Sequence, residues 1–600
     1  MNHSFHIPVM GIAFTIDTPL KIAHLGISSV ISLADDMIIE RMREFYYNQN
    51  NIPYQEITKK EVGHRSMRIT SYLNILHQLI IEKTEKLKAE SFEQKGDLVR
   101  YFELLSEKSP LKQLYKQFLE ETNPEKKKEQ EQELRSKIVF GSIDVNIMSK
   151  LDKLNKSKQG DVLNSDALEA LKGFAESTLS SSVVISAGLN PKLFSYIENF
   201  PDFFPDSNGF LKKKIILKVS DYRSALIQAK VLAKKGIWVS EFRIESGLNC
   251  GGHAFATEGI LTGPILEEFK QNRFQLAEDL FDIYTKALDE KGCYLTKLPK
   301  QIITYQGGIG THQEDEFLRE YYQLDATGWG SPFLLVPEIT TVDEETLNAV
   351  SISGKDDFYV SGSSPLGVPF NNFRLASNEV LRLERIAKGR PGSPCIKRFL
   401  VSNTEFTTEP ICTASREYQH LKLKQLDEQN LPEEEYKEAF DNITEKTCLC
   451  EGLSASALVK NNIAKPKERV AISICPGPNI AYFKGVFSLE QLVKHIYGEE
   501  NLLKGVERSN VFINELHLYL EYLKKDISTS IKELTDKKMK HFNNFKNQLE
   551  KGLQYYRDLI PQIYNQTGDY LTKMKHEVEE AEEKLNHVFS RLVGAALVTV

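Results

Sequence analysis

Eight short apolar runs, mostly separated by helix-forming stretches, predict an α/β chain that closes as a (β/α)8 barrel. A helical insertion and a mostly α-helical C-terminal extension accompany it. Three observations carry the prediction. The strand–helix alternation fills the chain up to about residue 340. The later runs end in glycines and hydroxyl residues, as strand ends facing a ligand do. No G-x-G-x-x-G turn follows the first strand, which removes the main mark of a doubly wound open sheet. Six hundred residues exceed one compact unit. The expected divisions are a barrel over 1–350, a cysteine-rich extension over 351–485 packed near the barrel mouth, and a helical region over 486–600.

The run His6–Phe14 reads as the first buried strand. Thr18–Gly26 follows as a short helix, with Thr18 as N-cap and Gly26 as its stop. Ile27–Leu33 is the second strand. From about 36 to 137 the texture is charge-rich, with apolar residues at three- and four-residue spacing, which predicts a helical insertion with a solvated face. Strands resume with "KIVFGSIDVNIM", Ser181–Gly188, Lys213–Ser220, "IWVSEFRIES", "QIITYQGGIGT" and "DATGWGSPFLLVPE". Between them run amphipathic helices, one opened by Asp221 and stopped by Gly236, another spanning Pro264–Gly292. The last hundred residues read as a helical cap or oligomerisation element.

The formal net charge of -7 argues against nucleic acid as a partner. The N-terminus lacks a secretion signal, and no apolar run reaches about 18 residues, so no membrane span is expected. The apolar C-terminal "LVGAALVTV" is too short to cross and reads as a docked helix end. Seven cysteines without a secretion signal suggest a reducing, cytoplasmic setting.

A barrel of this kind holds its ligand at the C-terminal ends of the strands, with phosphate groups at the loops after strands seven and eight. "GGIGT" (Gly307–Thr311) and "TGWGS" (Thr327–Ser331) occupy those loops. The end of strand six, "ESGLNCGGH", faces the same mouth. Gly251 and Gly252 let the chain pass close to a planar ligand, and His253 becomes the candidate acid–base group. A zinc site there is disfavoured, because no second ligand sits at the right spacing. Asn371, Asn372 and Arg374 are candidate substrate contacts.

With those motifs in view, the first 340 or so residues resemble the nitronate monooxygenase (2-nitropropane dioxygenase-like) family of FMN-dependent barrels, which includes flavin-dependent enoyl reductases. "LNCGGH", "GGIG" and "GWGSPF" stand in the order of the family's "EAGGH", "GGI" and "MGT-F" motifs. "PVMG" and "DVNIM" are similar to its "APM" and "VNxF" strands. The resemblance implies FMN, with phosphate on Gly307, Gly308, Gly330 and Ser331, and Gly310 and Gly328 in the same glycine-rich ends. It implies backbone approach at Met10 and Gly11, a flavin contact from Asn146, and His253 near the reactive face. Cys250 and Trp329 depart from the family pattern. The implied partners are a small-molecule or acyl substrate and NAD(P)H or a protein electron donor.

Cys395, Cys412, Cys448, Cys450 and Cys475 crowd into one region. An iron–sulfur cluster, a zinc ion and inert buried thiols all remain open for them. Three functions follow for the whole chain: an FMN oxidoreductase of the monooxygenase or enoyl reductase type, a flavin plus iron–sulfur electron-transfer enzyme, or an inactive barrel serving as a binding scaffold.

Overall fold

A computed structural model gives the fold and describes residues 2–598 apart from 149–151, 154, 156–163, 187, 253–257 and 531–533. Eight strands form a closed barrel in sequence order: β1 (Phe5–Ile7), β2 (Ser28–Ser32), β3 (Ile143–Ile147), β4 (Ser181–Ile185), β5 (Lys213–Val219), β6 (Val239–Glu245), β7 (Ile302–Gln306) and β8 (Ala326–Gly328). Every neighbouring pair is parallel, and closure comes from Phe5 opposite Thr327 and His6 opposite Gly328. The chain is therefore a (β/α)8 barrel with a helical extension.

Two expected boundaries shift. The first strand stops at Ile7 rather than Phe14, because Pro8 lacks a backbone N–H and Gly11 turns the chain at φ +60°. The helix after it runs Thr18–Ile22, and its N-cap is Asp17 rather than Thr18. The Thr18 hydroxyl instead donates to the Ile339 carbonyl at 2.7 Å. Gly26 ends the segment in the left-handed conformation, φ +82°.

Strand alternation sends one face of each strand into the barrel. Val30, Val184 and Ile216 form an apolar layer there, with Val9 packed against it from the mouth. The rest of the interior is polar. Glu241 accepts from Arg243 at 2.7 Å and from Thr304 at 2.6 Å. His6 lies 3.4 Å from Gln306, and burial and the Arg243 charge push its pKa down.

The insertion between β2 and β3 is five helices, the longest His64–Ala89. That helix buries Ile69, Tyr72, Leu73, Leu76 and Ile80 against the barrel's outer layer. Arg65 and Arg68 hold its start to Asp36 at 2.7 and 2.8 Å. After the barrel, β9 (Phe358–Ser361) and β10 (Phe370–Phe373) form an antiparallel hairpin. Three late helices, Val511–Ser530, Asp536–Leu559 and Gly568–Val598, pack on one another, and the first two pack also on the helix Thr262–Asp289. Among the described residues no helix is long and apolar enough to cross a membrane.

Candidate active site

The tail of β6 builds the centre of the mouth. Ser246 donates to Glu515 at 2.7 Å and receives the Leu248 N–H, so the chain turns sharply after Glu245. Glu515 also accepts from the Thr262 N–H and hydroxyl at 2.8 and 2.7 Å, tying this turn to the next helix and to the extension. Burial raises the Glu515 pKa. Gly251 and Gly252 follow at φ +131° and +95°, values that side chains rarely tolerate. A Cβ on Gly252 would sit 2.6 Å from Phe370, whereas among the described residues Gly251 has only the Val9 carbonyl within 4 Å. One glycine admits the β9–β10 hairpin, and the other leaves the mouth open.

That mouth is a cavity of about 680 Å³, within the usual range for cofactor and substrate sites. Its floor comes from the C-terminal ends of β1 to β6, including Gly11, Ser32, Asn146, Ser186, Lys218 and Glu245. Its roof comes from the extension, chiefly Leu366, Phe370, Phe399, Leu400 and Leu453. Two groups organise the floor. Glu245 accepts from Lys218 at 3.1 Å and from Asn249 and Gln306 at 2.7 Å each. Asn146 is 8% exposed, and its side-chain oxygen has no hydrogen-bond partner among the described residues. A buried amide oxygen without a donor costs free energy unless a ligand or water supplies one.

Of the residues expected at the cofactor, Gly11, Asn146 and Gly251 line this cavity. Met10 is fully buried beside them, its N–H 3.5 Å from the Thr15 hydroxyl. Gly307, Gly308, Gly310, Gly328, Gly330 and Ser331 lie away from its walls, each in contact with the chain itself. The Cβ position of Gly307 meets the Asn249 backbone, that of Gly308 meets Leu248 and Val511, and that of Gly310 meets Arg508. Gly328 faces Gln306 and His6 inside the barrel, and Gly330 faces Cys250. The Ser331 hydroxyl accepts the Gly477 N–H at 2.9 Å. His253, the expected acid–base group, lies outside the described residues. Asn371, Asn372 and Arg374 make their polar contacts to Gly252, Tyr359 and Asp356 within and beside the β9–β10 hairpin and do not line the cavity.

At the ends of β7 and β8 a buried ion pair holds the position expected for an anion. Glu314 sits in the first turn of the helix His312–Tyr321 and accepts from the Gly310 N–H at 2.8 Å, the Val511 N–H at 2.7 Å and Arg508 at 2.6 Å. Arg508 also donates to the Gly308 carbonyl and to Asn479. A carboxylate at a helix N-terminus satisfies the same N–H groups a phosphate would.

The five late cysteines do not form one group. Cys475 lies with Cys250, whose thiol points to the Cys475 carbonyl at 3.8 Å. Burial pushes the Cys250 thiol up to about 11 and raises that of Cys475 well above its ordinary value, so both are thiols at neutral pH. Cys250, the departure from the family pattern, thus packs between Gly330, Gly477 and the cavity wall. Cys395 and Cys412 lie together elsewhere, lining one small cavity, with Cys448 and Cys450 near them. Among the described residues no group of three or more His, Cys, Asp or Glu side chains is arranged to hold a metal ion. An iron–sulfur or zinc site therefore gains no support.

The Lys218–Glu245 pair was not anticipated, though charged residues near the ends of two apolar strand runs were a legible signal. Arg508 and Gly477 carry no local mark, because their partners are remote in sequence.

A closed parallel barrel with a roofed cavity over its strand ends defines the general class, a (β/α)8 barrel covered at its mouth by its own extension. No family model matches the chain, and no curated protein does. Among solved structures it is similar to FabK from Thermotoga maritima, at 13% identity and TM-score 0.31, covering 66% of this chain and 85% of that one. It is also similar to the enoyl reductase domain of MlnA from the macrolactin biosynthesis cluster of Bacillus amyloliquefaciens, at 15% identity and TM-score 0.32, covering 72% and 88%.

Proposed function

We propose that this protein is an FMN-dependent oxidoreductase acting on a small-molecule or acyl substrate at the barrel mouth. The observation that carries this is the side-chain oxygen of Asn146, buried in the floor of a roofed cavity of about 680 Å³ and without a partner among the described residues. A flavin ring presents an N–H donor on a flat edge, which suits such an acceptor in a cavity that Gly11 and Gly251 also line without side chains. The ring end of the cofactor thus fits the residues present. When bound, the flavin would supply hydride or single-electron exchange.

The chain's own groups have separate tasks. Asn146 orients the ring by accepting its N–H. Lys218 and Glu245, joined at 3.1 Å, form a charged floor that holds a polar group of the substrate and a proton beside it. Leu366, Phe399 and Leu400 cover the cavity from above and suit an apolar or acyl chain while excluding water. His253 is the proposed acid–base group, taking a proton from an acidic carbon in an oxidase-type reaction or giving one to an enolate in a reductase.

A second function is favoured by the Glu314–Arg508 pair. It occupies the phosphate position expected from the resemblance, and Gly477 covers Ser331. On that observation the barrel binds its ligand without flavin. One experiment separates the two. The purified full-length protein is mixed with excess FMN, desalted, and its visible spectrum recorded. Retained flavin absorption, reduced in Asn146→Leu, supports the oxidoreductase. A colourless protein that retains no FMN removes it and leaves the binding barrel. In a flavin-loaded protein, His253→Ala should keep the spectrum and slow turnover about 100-fold or more; unchanged turnover would remove the acid–base role.

A further inference from the structure

The loop that roofs the mouth carries a thiol pair on its other side. Residues 393–415 form a loop pinched twice by backbone hydrogen bonds. At the base, the Ser393 N–H donates to the Ala414 carbonyl and the Arg416 N–H to the Ser393 carbonyl, both at 2.9 Å. Further along, Asn403 and Ile411 exchange N–H···O bonds at 3.0 and 2.9 Å. Cys395 and Cys412 stand between these pinches on opposing arms of the loop, close enough for each thiol to perturb the other. Both line a separate cavity of about 290 Å³ with Arg398, Ser415 and Arg416. Cys395 is partly exposed and Cys412 buried. The pair is free, not bridged.

We propose that Cys395 and Cys412 are a reversible oxidation site, closed to a disulfide by hydrogen peroxide, that fixes the roof of the mouth cavity. Four of the intervening residues, Phe399, Leu400, Ser402 and Asn403, line the mouth, and so does Thr413 just beyond Cys412. A bond between the two arms removes freedom from the segment that substrate must pass. The significance of that roof for catalysis rests on the oxidoreductase function proposed above; the disulfide itself does not.

The chemistry divides between the two sulfurs. The neighbouring Cys412 thiol, with help from Arg398, lowers the Cys395 pKa, while the Cys395 neighbour and burial raise that of Cys412, and Cys395 is the more accessible of the two. Cys395 is therefore the attacking thiolate and Cys412 the resolving thiol. The Cys395 sulfur attacks one peroxide oxygen; the S–O bond forms, the O–O bond breaks, and hydroxide leaves and is protonated to water. Sulfur is oxidised by two electrons and peroxide is reduced by two. The Cys412 sulfur then attacks the sulfenic sulfur; the S–S bond forms, the S–O bond breaks, and the oxygen leaves as water with the Cys412 proton. From two thiols and one hydrogen peroxide the products are one disulfide and two waters. A small dithiol reverses the change by exchange.

Metal binding by the same thiols is the competing use. It is disfavoured because Cys448 faces Glu451 at 3.9 Å and Cys450 turns to the mouth cavity, and among the described residues no three such side chains converge on one point.

The test uses the full-length protein without flavin, so its outcome does not depend on the cofactor. The protein is treated with hydrogen peroxide, alkylated, and mapped by peptide mass spectrometry without reduction. A peptide linking Cys395 to Cys412 is expected, reversed by dithiothreitol. In Cys412→Ser, Cys395 should be trapped as a sulfenic acid by dimedone. Hydrogen exchange over residues 396–411 should slow several-fold in the oxidised protein. Both cysteines remaining free to alkylate, or linkage of Cys395 to Cys448 or Cys450, would overturn the assignment. So would stoichiometric zinc or iron in the purified protein that Cys395→Ala lacks. Unchanged exchange over 396–411 despite the disulfide would overturn the effect on the roof.

Discussion

Asn146 and Gly252 show how much one position can carry. Asn146 is the inward residue of β3 one step from its end, and its oxygen meets no donor among the described residues. Replacing it with leucine removes the acceptor and places apolar surface under the ligand. FMN affinity should fall about tenfold, about 1.4 kcal/mol, read by quenching of flavin fluorescence on titration. Equal affinities would dissociate Asn146 from the cofactor. Gly252 has a different burden. Its φ of +95° and the Phe370 ring at 2.6 Å from a Cβ both oppose any side chain. Gly252→Val should cost about 2–4 kcal/mol from strain and overpacking, seen as a lower urea midpoint. Gly251 shares the positive φ but not the crowding, so Gly251→Ala should cost clearly less. A reversed order would contradict this packing.

Elements are joined mainly by buried polar contacts at their ends. Asp35, wholly buried, caps the helix Asp36–Gln49 through the N–H groups of Met37 and Ile38 and accepts from Lys397 and Ser454 of the extension. Asp35→Ala removes a cap and leaves a largely buried lysine unpaired. A loss of about 3 kcal/mol is expected, and Lys397→Met in the same chain should recover part of it. A strictly additive double variant would argue against the pair. At the opposite end of the barrel, His3 joins β1 to the helix Leu489–Tyr497, 2.9 Å from the Tyr497 hydroxyl. Burial holds its pKa down to about 4, against 6.5 when unfolded. The unfolded chain takes up this proton first as pH falls. The group's contribution is therefore fully present above pH 6.5 and is lost progressively toward about pH 4, by about 3 kcal/mol. Urea midpoints across that range should fall less steeply in His3→Gln than in the wild type; parallel slopes would exclude His3 as a source.

Across the whole molecule, the C-terminal extension completes the barrel instead of hanging from it. It roofs the mouth, and it plugs the ends of β7 and β8 through Arg508, Asn479 and Gly477. Arg508→Gln leaves Glu314 buried without its cation and should cost about 3–5 kcal/mol. Glu314→Gln with Arg508→Met should recover most of that, because neither then buries a charge. Both are read as unfolding midpoints of the full chain. If the double variant instead takes up FMN where the wild type does not, the ion pair is what excludes the phosphate.

Strand periodicity and the helices between the strands were sufficient to derive the barrel, and the turn glycines pointed to its mouth. Those signals are local: alternation along a strand and positive φ at a turn depend on adjacent residues. Gly251 at the cavity follows from them, whereas Asn146 on its floor was implied only by the family resemblance. What sits opposite them was decided only by tertiary structure. Phe370 against Gly252, Gly477 against Ser331, Arg508 against Glu314 and Cys395 against Cys412 pair segments that share no sequence pattern. Their contacts arise from how the extension folds back over the mouth, where burial selects the polar partners and the volume left between them.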